Sequence, residues 1–79
     1  MKTRKLLAQL MAYLDGDARQ RRRERDDLMT VLDKLKRREK KLKRQLDDER
    51  DAERRVVLQQ EIDIIHAQRK KGVRLLKEE

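Results

Sequence analysis

The sequence predicts an all-α protein whose main element is an antiparallel helical hairpin over residues 28–77. Three observations predict this fold. The composition is typical of long helices and coiled coils, because 51% of the residues are charged, 1% are aromatic and proline is absent. Apolar residues recur at alternating steps of three and four, which is a heptad spacing that does not fit strand alternation. Two series of residues with this spacing also face each other position by position when the chain is folded into a hairpin.

The two series define the seam of the predicted hairpin. The first series contains Leu7, Met11, Leu14, Ala18, Arg21, Arg25, Leu28, Leu32, Leu35, Glu39, Leu42 and Leu46. The second contains Leu58, Ile62, Ile65, Arg69, Gly72 and Leu76. If the chain reverses near residue 52, the numbers of every facing pair sum to 104, as an antiparallel hairpin requires. The apolar members of this hairpin seam are Leu28, Leu32, Leu35, Leu42, Leu46, Leu58, Ile62, Ile65 and Leu76.

The predicted turn lies near residues 47–50, in an acidic stretch. Asp51 suits the N-cap of the second helix, and Glu53 lies in its first turn, where the helix dipole favours anions. Alternate carboxylates here imitate a calcium loop, but Ala52 stands where that loop needs glycine and Leu58 where it needs glutamate. We therefore interpret the acids as turn and capping residues and expect no metal. A protruding acidic tip that enters a basic pocket of a partner is the alternative.

Residues 1–27 are predicted to form a helical extension that is amphipathic at first and then charged, and residues 78–79 a short tail. Gly16 and Asp17 would allow one helix to end and another to begin, which would give a three-helix fold. Folding residues 3–14 back, however, would lay their apolar stripe on residues 19–27, which are nearly all charged. The sequence therefore predicts one long helix from about Thr3 to Leu46, roughly 65 Å in length.

A projecting helix of this kind leaves its apolar stripe in water, which costs about 1.5–3 kcal/mol for each leucine. We therefore expect self-association into a dimeric helical bundle through Leu7, Met11, Leu14 and Ala18. Peripheral membrane binding through residues 1–14 is the alternative, with Lys2, Arg4 and Lys5 on anionic lipid. The continuous heptad register favours the oligomer. The sequence contains no long apolar stretch and residues 1–14 lack a cleavage site, so a cytoplasmic location is expected.

The net charge of +8 is unevenly distributed, with a basic stem and an acidic tip. Basic stems bind the phosphates of RNA or DNA, although such residues also simply keep a coiled coil soluble. The candidate partner or phosphate contacts are Lys36, Arg37, Lys40, Lys41, Arg44, Arg69, Lys70 and Lys71. Tyr13 is the only aromatic residue, so stacking of single-stranded bases is not expected.

Catalytic residues are not expected in this chain. It has no serine, no cysteine and no glycine-rich phosphate loop, and His66 is its only histidine. His66 alone cannot form a structural zinc site, although it can pair with Asp63 on the same helix face. We therefore expect no enzyme activity and no cofactor.

The sequence as a whole predicts a small coiled-coil adaptor or structural protein that self-associates and docks a protein partner. A basic helical hairpin that binds RNA or DNA is the second hypothesis, and membrane association through residues 1–14 the third.

Overall fold

The computed structural model describes the backbone of residues 2–78 and the side chains of residues 3–77. Within this range the chain is all-α and contains no strand, as predicted. The four helices are α1 (Lys2–Asp15), α2 (Ala18–Arg23), α3 (Arg25–Asp48) and α4 (Ala52–Glu78). Of the predicted tail, residue 78 belongs to α4 and residue 79 lies outside the described residues.

Helices α3 and α4 form the antiparallel hairpin, and the chain reverses at residues 49–51. Arg55 closes this turn, because its Nη1 donates to the carbonyl oxygens of Leu46 (2.8 Å) and Glu49 (2.9 Å). Asp51 caps α4 as predicted, since its Oδ1 accepts from the backbone N–H of Glu53 at 3.0 Å. The turn thus lies slightly later than the predicted 47–50, because α3 continues to residue 48.

The hairpin seam is the centre of the hydrophobic core. Six of its nine apolar residues are buried, namely Leu28, Leu32, Leu35, Leu42, Ile62 and Ile65. The other three, Leu46, Leu58 and Leu76, are half-buried and pack against this cluster. Gly72 lies opposite Leu32, since a Cβ at residue 72 would come within 2.7 Å of Leu32 Cδ2. This contact matches the register predicted from the sequence, and glycine permits the close approach of the two helices.

The prediction of one long helix from Thr3 to Leu46 is wrong. Helix α1 ends at Asp15, and Asp17 starts α2 as an N-cap whose Oδ1 accepts from the backbone N–H of Gln20 at 2.8 Å. Arg21 supports the break by donating to the carbonyl oxygen of Gly16. A second irregularity at Glu24 (φ −104°, ψ 20°) separates α2 from α3. Hydrogen bonds to side chains thus satisfy the backbone at the break, which makes the reversal of the chain possible.

Helix α1 folds back on the hairpin and runs antiparallel to α3. Near its start, the Thr3 hydroxyl accepts a hydrogen bond from Arg38 Nε at 2.8 Å. Leu10 is fully buried, and its Cδ1 would lie 3.1 Å from a Cβ at Gly72. The apolar stripe of α1 therefore rests on the hairpin seam. The apolar stripe does not meet the charged residues 19–27, as the sequence predicted for a folded-back helix, because the chain reverses through residues 16–24 and returns along α3 and α4.

The molecule consequently has three packed helices at its stem and two at its tip, within an envelope of 46 × 19 × 16 Å. Of the residues predicted to mediate self-association, Leu7 and Leu14 pack against the core of their own chain, Ala18 is half-buried and Met11 remains exposed. The physical reason for predicting a dimer through this stripe, its exposure to water, therefore no longer holds.

Replacement of Leu10 by alanine tests the docking of α1. We expect Leu10→Ala to lower the free energy of unfolding by about 2–5 kcal/mol, because it leaves a cavity beside Leu32 and Gly72. Met11→Ala is the matched control, since the neighbouring Met11 is 41% exposed and should change stability by about 0.5 kcal/mol or less. Urea denaturation followed by circular dichroism measures both. Equal effects of the two substitutions would contradict the folded-back helix.

The tyrosine absorbance gives a second test, because Tyr13 is the only tyrosine. Burial, and then the negative charges of Asp27 and Glu24, raise the pKa of the Tyr13 phenol in the folded chain. The phenol should ionise above its ordinary pKa of about 10 in the native protein and at about 10 in urea. Its contribution to stability is therefore present below about pH 10 and is lost as the pH rises through the folded pKa.

Spectrophotometric titration at the phenolate band measures this shift. Asp27→Asn should lower the native pKa of Tyr13, whereas Asp33→Asn, a change of equal charge elsewhere on α3, should not. A native pKa equal to the pKa in urea would mean that α1 is not docked.

Candidate functional site

The two flanks of the hairpin seam define a front face and a back face. The front face carries α1 and is formed by Val31, Lys34, Arg38, Lys41, Gln45 and Asp48 of α3 with Val57, Glu61, Ile64, Gln68, Lys71 and Leu75 of α4. The back face is formed by Met29, Asp33, Lys36, Lys40, Lys43 and Asp47 of α3 with Gln59, Asp63, His66, Lys70, Val73 and Lys77 of α4. Each set repeats at steps of three and four, so its members share one side of a helix.

A cationic groove runs between α1 and α3 on the front face. Its volume is about 520 Å³, and it is lined by Lys5, Leu6, Gln9, Lys34, Arg37, Arg38 and Lys41. Arg37 pairs with Asp33 at 3.2 Å, but both side chains are more than half exposed, so this pair contributes little. Among the described residues, no carboxylate lies within salt-bridge distance of Lys5, Lys34 or Lys41. Arg37 and Lys41 are among the contacts predicted from the sequence, and Lys34 and Arg38 belong to the predicted basic stem. Lys5 was expected on anionic lipid, and only the folded-back α1 brings it to this groove.

An acidic pocket opens at the tip of the same front face. Its volume is about 640 Å³, and its walls contain four carboxylates, Asp48, Glu49, Asp51 and Glu53, and one cation, Arg54, beside Val57 and Leu58. Asp51 and the Glu49 side chain are engaged in the turn, since Glu49 Oε1 accepts from the backbone N–H of Asp51 at 3.2 Å. No group of three or more potential metal ligands is present among the described residues.

The back face carries lysines in two rows. Lys36, Lys40 and Lys43 follow one another on α3, and Lys70 and Lys77 lie on α4 in a groove with His66, Arg69 and Arg74. In the observed register, residues 27–43 of α3 run beside residues 61–77 of α4, so the rows cover about 24 Å. Of the predicted contacts, Lys36, Lys40 and Lys70 come together here. Arg44 is exposed on the outer side of α3, and Lys71 lies in the groove between α1 and α4.

Glu39 organises the seam between these two rows. Its carboxylate is only 4% exposed, although it occupies an apolar heptad position. Oε2 lies 3.3 Å from Arg69 Nη2 and 3.9 Å from Lys43 Nζ, and Oε1 lies 3.2 Å from His66 Nδ1. His66 therefore pairs with Glu39 and not with Asp63, which accepts a hydrogen bond from Gln59. Arg69, a predicted partner contact, is used largely inside the protein.

No protein family model, no curated protein and no solved structure matches this chain at a significant level. Within residues 2–78, no helix combines the length and the apolar character needed to cross a bilayer. The residues and their placement are therefore the basis of the functional inference.

The Glu39 cluster predicts a non-additive effect on stability. Arg69→Leu should lower the free energy of unfolding by about 1–3 kcal/mol, because it removes a charged partner from a buried carboxylate. The double variant Glu39→Leu/Arg69→Leu should regain that loss, since well-packed apolar residues replace a buried ion pair without cost in many proteins. Urea denaturation of the two single variants and the double variant measures the coupling. Additive losses would contradict this assignment.

Proposed function

We propose that this protein is a non-catalytic docking protein whose back face binds the phosphate backbone of a double-stranded nucleic acid. The observation that carries the proposal is the pair of lysine rows around Glu39. Among the described residues, Lys36, Lys40 and Lys70 have no carboxylate within salt-bridge distance. Their charges are therefore available to a polyanion, and release of its counterions would drive binding.

The length of the lysine rows suits a duplex. The row on α3 and the row on α4 are each about 10 Å long and are staggered, so together they cover about 24 Å. One strand of B-DNA carries a charge about every 3.4 Å along the helix axis, so this length corresponds to roughly seven phosphates. The lysines lie on two rigid helices that the buried seam holds together, so few conformational changes accompany binding. Contacts of this kind bind phosphates without reading the base sequence.

Single-stranded nucleic acid is a poorer ligand for this surface. Single-strand binding proteins stack bases on aromatic side chains, and each stacked base contributes about 1–3 kcal/mol. The one aromatic residue, Tyr13, belongs to α1 and packs against the core. We therefore expect weak binding of single strands and little sequence preference on duplexes.

The front face is less suitable, although its groove is more concave. A polyanion that follows this groove toward the tip meets Asp48, Glu49 and Glu53 in the acidic pocket. Lys41 and Asp48 are seven residues apart on one flank of α3, about 10 Å, which is comparable with the screening length in physiological salt. Lys40 and Asp47 have the same spacing on the back face, so it is the group of four carboxylates in the pocket, and not this distance, that makes the front face less suitable.

A protein partner, the hypothesis that the sequence favoured first, is the second candidate. Exposed Val57 and Ile64 on the front face favour it, with exposed fractions of 60% and 52%. Membrane binding through residues 1–14 has less support, because Leu6, Leu7, Leu10 and Leu14 pack on the hairpin and would first have to leave it. We also propose that the protein is located in the cytoplasm.

A mobility-shift titration with a short DNA duplex and a short RNA duplex across salt concentrations tests the proposal. We expect Lys36→Gln/Lys40→Gln/Lys70→Gln to weaken duplex binding by at least about tenfold. The slope of log affinity against log salt should decrease by about one for each lysine–phosphate pair that the substitutions remove. Circular dichroism checks that the variant is folded.

The matched control is Arg19→Gln/Arg22→Gln/Arg23→Gln, which removes the same net charge from exposed positions of α2. This control should retain most of the affinity. Equal reductions in both variants would mean that net charge alone binds the duplex, and the assignment to the back face would be wrong. Binding that does not respond to salt would contradict the counterion mechanism itself.

A further inference from the structure

One stripe of α4 is covered by α1 along its second half and is uncovered along its first half. The stripe contains Val57, Glu61, Ile64, Gln68, Lys71 and Leu75, at heptad steps of four and three. Gln68, Lys71 and Leu75 line a groove with Met11 and Leu14 of α1. Val57 and Ile64 belong to the same stripe and are more than half exposed, since Val57 lies beyond the beginning of α1 and Ile64 lies at the level of that beginning. The surface on which α1 packs therefore continues toward the tip, where no further helix among the described residues covers it.

The uncovered part of this surface is about 20 Å long. Leu10 contacts Gly72 and α1 runs parallel to α4, so the level of Thr3 corresponds to Ile65. From that level to the start of α4 at Ala52 there are about thirteen residues, each with a rise of about 1.5 Å. Helices α3 and α4 border this region, and each exposes a row of residues at heptad spacing beside the seam.

The charges on the front face are arranged in two blocks of opposite sign. The cationic groove lies toward the stem, with Lys34, Arg38 and Lys41 on α3. The acidic pocket lies at the tip, with Asp48 and Glu53 on its walls. A surface with this polarity is complementary to itself when a second copy faces it in the opposite direction.

We infer that the front face is a homodimer interface, in which the tips of two copies pack antiparallel and each acidic tip meets the cationic groove of the other. A two-fold axis relates the copies, so the contacts are the same on both sides. The two hairpin tips then form a four-helix bundle, and each copy supplies the cover that the other lacks.

The start of α1 limits the position of the axis, because the tip of one copy can reach only as far as α1 of the other. An axis at the centre of the uncovered region lies at about the level of residue 58 of α4, which in the register of the hairpin corresponds to residue 46 of α3. The Val57 side chains of the two copies then lie beside each other. The acidic turn at residues 49–51 of one copy lies at about the level of Lys41 of the other.

The start of α1 adds a further attraction. At this axis position, the acidic turn of one copy reaches the level at which α1 of the other begins. Helix N-termini carry a partial positive charge, which anions stabilise. Lys5 also lies close to this end of α1 and lines the groove.

The size of the interface predicts a weak dimer. An overlap of about 20 Å across a molecule 19 Å wide buries roughly 400 Å² of each copy, which is below the standard size for a stable complex. We therefore expect a dissociation constant in about the micromolar range, and an affinity that falls with added salt because the charge contacts are exposed.

Sedimentation velocity over a range of protein concentrations tests the inference. The wild-type chain should pass from monomer to dimer as its concentration rises. Val57→Ser/Ile64→Ser should weaken the dimer by at least about tenfold, because it removes the two large exposed apolar side chains of the interface. Val56→Ser is the matched control, since Val56 is as exposed as Val57 (57% against 60%) but lies on the outer side of α4. A monomer at every concentration, or equal weakening by Val56→Ser and by Val57→Ser/Ile64→Ser, would overturn the inference.

A charge-reversal pair tests the antiparallel arrangement. One variant, Asp48→Lys/Glu53→Lys, makes both ends of the front face basic, and the other, Lys34→Glu/Lys41→Glu, makes both acidic. Each variant alone should be monomeric, and an equimolar mixture should form a heterodimer, because every tip then meets a groove of opposite charge. A mixture that stays monomeric while both variants are folded would exclude this arrangement.

The dimer and the proposed function are independent of each other. The back face is free in the dimer, so Val57→Ser/Ile64→Ser should bind a short duplex through the same lysines with unchanged affinity for each site. Conversely, Lys36→Gln/Lys40→Gln/Lys70→Gln should still dimerise.

Discussion

The close contact of α1 with the hairpin, where Leu10 and Leu32 meet over Gly72, determines the shape of this chain. A side chain at residue 72 would collide with Leu32 Cδ2, so glycine is what lets the helices approach. Burial of Leu10 compensates for a glycine inside a helix, which costs about 1 kcal/mol relative to alanine. Because α1 docks at this point, the stem has three helices, the tip has two, and the front face is divided into a covered and an uncovered part.

Electrostatics complements this packing. Glu39 interrupts an otherwise apolar seam, and the cost of burying its carboxylate is offset by Arg69, Lys43 and His66. These partners join α3 to α4 and leave Lys36, Lys40 and Lys70 available on the back face. On the front face, α1 adds Lys5 to the lysines of α3 and thereby completes a groove that is absent from the isolated hairpin. The ion pairs of the buried Glu39 therefore hold together the two helices that carry the exposed lysines.

The segregation of charge along the molecule links the two proposals. In these proposals, the acidic tip keeps a polyanion away from the front face and attracts the cationic groove of a second copy to it. On the back face Asp33, Asp47 and Asp63 are separated from one another among the lysines, and in the antiparallel dimer the two back faces point in opposite directions. A dimer of this form would bring two duplex segments together, with the hairpin tips at its centre.

Periodicity and composition were sufficient to predict the hairpin, its register, its acidic turn and the helical character of the chain. Those features depend on local spacing, since residues three and four apart share a helix face wherever the helix lies. The position of α1 was not predictable in the same way. Gly16 and Asp17 permit a break, but only the burial of Leu10 against residues more than twenty positions away decides that the chain reverses there. The cationic groove, the uncovered stripe at Val57 and Ile64, and the pairing of His66 with Glu39 follow from that reversal or from contacts between helices, so they required the tertiary structure.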